Sequence, residues 1–144
     1  MITFNTKKVL TTFITVLSLM ACSAAFSGVA VIVHPSNNNK LSAEQIAAIY
    51  LGKERAFPDG SEAVAIDQDE SSSIRSSFVG NVLKKSNQQL KSYWAQLVFT
   101  GGGTPPKAVG SSTEVKKLVS NNPNIIGYID ASEVDSSVSV VGEF

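Results

Sequence analysis

The stretch "AIDQDESSSIRSSF", Ala65 to Phe78, decides how this chain folds. It closes the run "EAVAID", whose small and apolar residues read as a short strand. Asp67, Asp69 and Glu70 follow, then Ser71, Ser72 and Ser73. Beyond the serines, Ile74, Phe78 and Val82 recur at four-residue spacing, which predicts a helix from about Ser72 to Lys85. Gly80 weakens that helix by up to about 1 kcal/mol relative to alanine. A strand that hands over directly to a helix is the repeating unit of an α/β protein.

The serines carry two readings. Serine is a preferred helix N-cap, contributing about 1 kcal/mol wherever a helix starts. A helix start also presents free amides and about half a positive charge, so it attracts anions, and hydroxyls beside those amides add neutral donors. The neighbouring acids repel a fully ionised ligand unless one of them accepts a proton from a protonated oxyanion. Arg75, one turn into the helix, is the cation nearest this loop, either as a solvated surface residue or as an anion partner.

Upstream, "GVAVIVHP" (28–35) is a continuous β-branched run ended by Pro35, which reads as a buried strand. "LSAEQIAAIYLG" (41–52) carries a helix start in Ser42 with Gln45 as capping-box partner, and Gly52 supplies the stop. "FPDGS" (57–61) is a turn. Downstream, "SNQQLKSYWAQLVF" (86–99) repeats the capping box with Ser86 and Gln89. Its inner face is Leu90, Trp94, Leu97 and Val98, and Tyr93 with Trp94 reads as core packing. "TGGGTPP" (100–106) is loop; it fails as a phosphate-binding P-loop because Pro106 precedes Lys107 and no strand leads into it. A last helix starts near Ser111 or Ser112 with Glu114 as the box partner of Ser111, and "NIIGYID" and "SSVSVVGEF" read as two further strands. The order β-α-β-α-α-α-β-β predicts a small mixed, mostly parallel sheet with helices on both faces.

The chain has 144 residues, 12 basic and 12 acidic. Residues 1–27 read as a cleaved export signal. Lys7 and Lys8 precede the uncharged run Val9–Met20, and Ala25 and Ser27 stand before a cut at Gly28. A rival cut at Leu19-Met20-Ala21-Cys22 would make a lipoprotein anchored through Cys22; the soluble periplasmic route is preferred. Removing Lys7 and Lys8 leaves residues 28–144, one domain, slightly acidic, which argues against nucleic acid as a partner. With Cys22 the sole cysteine and His34 the sole histidine, neither a disulfide nor a metal cluster is expected. No nucleophile motif or paired carboxylates stand out, so a binding protein without a cofactor is expected rather than an enzyme.

Taken together, residues 31–78 resemble the periplasmic phosphate-binding proteins of ABC transporters. The resemblance rests on "LSAEQIAAIYLGK", the "FPDGS" turn and a "VAID" strand leading into a serine-bearing helix start. "LKSYWAQLVFTGGGTPPKAVGSSTEVKKLV" and "NIIGYID" look like later parts of short, single-lobe relatives. The resemblance implies a single type 2 periplasmic-binding-protein-like lobe that captures phosphate or a related oxyanion, with an ABC transporter permease as partner. By position it assigns Ser71, Ser72 and Ser73 to the main phosphate loop and Ser36 to the loop after the first strand, with Arg75 as a further ligand-binding candidate. Full-length relatives carry a "GSGT"-like loop with an arginine shortly before it; here the loop reads "ESSSI", preceded by Gln68 and Asp69. Full-length relatives also close two lobes over the ligand. The missing face would come from a second copy or another protein, and the alternative is an envelope interaction module without an anion pocket.

Overall fold

A computed structural model describes residues 28–144; the expected signal segment and Cys22 lie outside the described residues. In chain order the elements are β1 (Val29–Val33), α1 (Ala43–Tyr50), β2 (Val64–Gln68), α2 (Ser73–Asn81), α3 (Asn87–Phe99), β3 (Lys107–Val109), α4 (Ser112–Asn121), β4 (Ile125–Asp130), a single 3-10 turn (Ala131–Glu133) and β5 (Ser139–Glu143). The strands form one sheet in the order β3-β2-β4-β1-β5. Strands β3, β2 and β4 run parallel, whereas β1 is antiparallel to both β4 and β5. The sheet is therefore mixed rather than mostly parallel: β1 is the one reversed strand, and because it lies inside the sheet two of the four pairings are antiparallel.

Every residue of β1 is buried, as its unbroken apolar run requires when both faces of a sheet are covered. On one face Val29, Val31 and Val33 pack with α1, α2 and α3 around Tyr50, Phe78, Trp94 and Tyr128. On the other, Ala30 and Ile32 meet Val115 and Val119 of α4. Helices thus cover both faces. Gly127 of β4 makes the second layer possible: a Cβ there would stand 2.4 Å from Val115 Cγ1 and 3.1 Å from Val119 Cγ2. Gly127→Ala is expected to destabilise the protein by about 1–3 kcal/mol through overpacking, lowering the urea midpoint at unchanged slope. An unmoved midpoint would show that α4 lifts away without cost.

The helix starts follow local sequence. Ser42 with Gln45 and Ser86 with Gln89 form complete capping boxes. Ser111 caps α4 by accepting from the Glu114 amide, but the Glu114 carboxylate accepts from the Gly110 amide (2.9 Å) instead of closing a box. Three further expectations need correction. Helix α2 stops at Asn81 rather than Lys85: the chain turns at Lys84, whose φ is +55°, while Val82 and Leu83 stay buried. The inner stripe of α3 is narrower than its spacing suggests, because its last turn is uncovered and Val98 is 51% exposed. A third strand, β3, emerges straight after the glycine–proline loop and pairs with β2 from Ile66 onward.

Candidate functional site

In open parallel sheets, ligands bind beyond the carboxyl ends of the strands. That edge gathers the β2–α2 loop, the β3–α4 loop and Asp130 at the end of β4, and Asp69 N–H donates to Val109 O (3.0 Å) to tie the first two together. Ser71, Ser72 and Ser73 sit here. Ser36 does not join them. Because β1 runs against β4, with Val33 opposite Ile126 at the start of β4, the loop after β1 leaves from the opposite end of the sheet. Five residues at roughly 3.3 Å per residue separate the two ends. Ser36 instead hydrogen bonds the half-buried His34, its Oγ lying 2.7 Å from Nδ1 and its amide donating to the same nitrogen.

The three serines have different occupations. Ser72 is the N-cap: its Oγ accepts from the Arg75 amide (3.3 Å) and donates to Gln68 Oε1 (2.8 Å). Ser71 and Ser73 are exposed, and none of the side-chain hydrogen bonds among the described residues engages their hydroxyls. Ser73 and Ile74 are the first residues of α2, whose amides have no intrahelical acceptor. The outward donors of this loop are therefore the hydroxyls of Ser71 and Ser73 with those first-turn amides.

Beneath the loop lies a buried polar network. Gln68 is 2% exposed, and its Nε2 donates to Tyr128 O (2.9 Å) and Ser112 Oγ (3.2 Å), linking the α2 cap to β4 and α4. Arg75 is buried, so neither a solvated surface arginine nor a freely presented anion partner describes it. Its Nε donates to Asp67 Oδ2 (3.2 Å) and its Nη1 to Asn87 Oδ1 (3.0 Å). The Tyr128 hydroxyl donates to Asp67 Oδ1, and the Gln68 amide donates to the same oxygen (2.8 Å). Burial first, and then the Asp67 charge, push the Tyr128 phenol well above its usual range, so its proton stays and the hydroxyl remains a donor. Among the described residues every buried side-chain polar atom has a partner.

Reading the sequence missed Gln68 and Tyr128 as members of this site. The available signal was a lone phenol inside the otherwise apolar "IIGYI" (125–129), because a hydroxyl in a buried strand needs a partner. Among the described residues, one surface groove of about 390 Å³ lies beside Leu41 and Phe57, and another of about 630 Å³ lies beside Val64, Trp94 and Pro105. Neither is lined by the serine loop, where Ser71 and Ser73 are exposed. Among the described residues no cluster of His, Cys, Asp and Glu could hold a metal ion.

A mixed sheet covered on both faces, with a serine-bearing helix start at its carboxyl edge, is the architecture of a layered α/β lobe. The family profile of the PBP superfamily domain matches residues 4–142, and the chain belongs to that superfamily. Among solved structures it is similar to a candidate phosphate ABC transporter substrate-binding protein from Clostridium perfringens with bound phosphate, at 29% identity and a TM-score of 0.63, covering 79% of this chain and 44% of that one. An ABC-type phosphate transport receptor from Vibrio cholerae is similar at 23% identity and a TM-score of 0.61, covering 79% and 45% of the two chains. PstS from Borrelia burgdorferi shares 19% identity at a TM-score of 0.60, over 80% of this chain and 46% of its own. The chain thus spans less than half the length of these relatives. No curated protein matches it.

Proposed function

We propose that this protein is an exported solute-binding lobe that captures phosphate, or a related oxyanion that carries a proton, at the start of α2. The observation behind this reading is the exposed pair Ser71 and Ser73 beside the first-turn amides of α2, at the carboxyl end of a parallel strand. The similarity to a solved relative holding phosphate supports it. Asp69 and Glu70 bear on selectivity: a P–OH can donate to one of these carboxylates, whereas sulfate has no proton to offer near neutral pH and meets only repulsion. Exposed serines leave the ligand half solvated, where each hydrogen bond contributes only about 0.5–1.5 kcal/mol net. Millimolar affinity, about −4 kcal/mol, is the expected scale for the chain alone. Tight capture needs a second face, from another copy or another protein. The cellular setting in this reading is the periplasm, reached through the leader in residues 1–27, with delivery to an ABC transporter permease.

Titration calorimetry tests this. Phosphate should give saturable heat and sulfate much less, and Ser71→Ala with Ser73→Ala together should weaken binding at least tenfold, since two hydroxyls supply about 2 kcal/mol. No saturable heat from a folded sample with either anion would overturn it. The second reading, an envelope interaction module, then takes over; it is favoured by Arg75 being neutralised internally by Asp67.

A further inference from the structure

Arg75 is the one charged side chain among the described residues that is buried, at 8% exposure. The carboxylate it faces is unusually well provided for. Asp67 collects the Arg75 guanidinium from α2 (3.2 Å), the Tyr128 hydroxyl from β4 and the Gln68 amide from β2 (2.8 Å). A cation, a protonated hydroxyl and a backbone amide converging from three elements form the donor set with which proteins hold a free oxyanion. Two of the donors have further supports. Arg75 is braced by Asn87, which in turn donates to Ser76 Oγ (3.2 Å), and Tyr128 is held by its stack on Phe78 at 4.0 Å. Arg75 and Tyr128 are thus held by neighbours other than Asp67.

We infer that Asp67 is an internal oxyanion: its carboxylate occupies an anion site built by Arg75, Tyr128 and the Gln68 amide, and so closes that site to small oxyanions from solution. The inference stands on these contacts alone. Its consequence for selectivity rests on the function proposed above: a ligand arriving at the edge meets Ser71 and Ser73 but not the guanidinium, so Asp67 sets the affinity of the loop. Truncating Asp67 to alanine removes one carbon and two oxygens, the size of a formate ion. The vacated site is one for a carboxylate or another small oxyanion.

The test is chemical rescue. Asp67→Ala should be clearly less stable than the unaltered protein in sodium chloride, and exchanging chloride for formate at equal ionic strength should raise its melting temperature by several degrees. The unaltered protein should respond alike to both salts. Adding Arg75→Gln to Asp67→Ala should abolish the formate response, which separates a specific site from a general salt effect. If Asp67→Ala does not fold in chloride, recovery of its far-ultraviolet circular dichroism in formate is the readout. Equal behaviour of Asp67→Ala in formate and chloride would overturn the inference. Should formate rescue the variant while the unaltered protein gives no heat with phosphate, the internal site stands and the proposed ligand falls.

Discussion

Phe78→Ala is expected to destabilise the protein by about 3–5 kcal/mol, the usual cost of emptying a fully buried aromatic position. Phe78 is 1% exposed, its ring is stacked on Tyr128 at 4.0 Å and 6°, and it meets the Tyr50 ring edge-on at 4.6 Å. These three rings tie α2, α1 and β4 together. Tyr50 adds to the joint by donating from its hydroxyl to Ile66 O (3.0 Å) and Ile126 O (3.2 Å). Truncation therefore removes packing on both neighbours and loosens the helix whose first turn is the candidate site. The melting temperature should fall by about 10 °C or more for a domain of this size. A loss below about 1 kcal/mol would mean that α2 is anchored mainly by Arg75 rather than by this stack.

Arg75→Met should cost about 3 kcal/mol, at the low end of what removing one partner of a buried ion pair costs. The loss is moderated because Asp67 keeps the Tyr128 hydroxyl and the Gln68 amide, and because the pair's side chains retain 10% and 14% exposure. Replacing both partners, Arg75→Met with Asp67→Asn, should recover part of the loss, since no uncompensated charge is then buried. A double variant no more stable than Arg75→Met would show that the guanidinium acts through packing and its bond to Asn87 rather than through its charge.

The fold was legible where its determinants are local. Ser42 with Gln45, and Ser86 with Gln89, announce their helices within four residues, and the β-branched run of β1 declares its burial unaided. The direction of β1 was not legible. Nothing in "VAVIV" distinguishes a parallel from an antiparallel neighbour, and that single bit places Ser36 at the wrong end of the sheet for the serine loop. Strand β3 escaped because it is three residues long, mostly exposed, and held by pairing with β2 rather than by an apolar face. In the site, Ser71 to Ser73 were visible as a helix start. The division of labour among them was not, since it depends on Gln68 reaching Ser72, Ser112 and Tyr128 across strand and helix boundaries. The Asp67–Tyr128 contact spans 61 residues of sequence, a separation for which no local pattern exists.

The reversed course of β1 has a consequence for assembly. It brings residues 29 and 144 side by side, where Val29 N–H donates to Phe144 O (2.8 Å) and Phe144 N–H to Val29 O (2.9 Å). Entry and exit of the described segment therefore share one doorway, on the same rim as the serine loop. A unit with adjoining ends can be spliced into a loop of another protein without stretching either, much as domain insertions succeed where termini lie close.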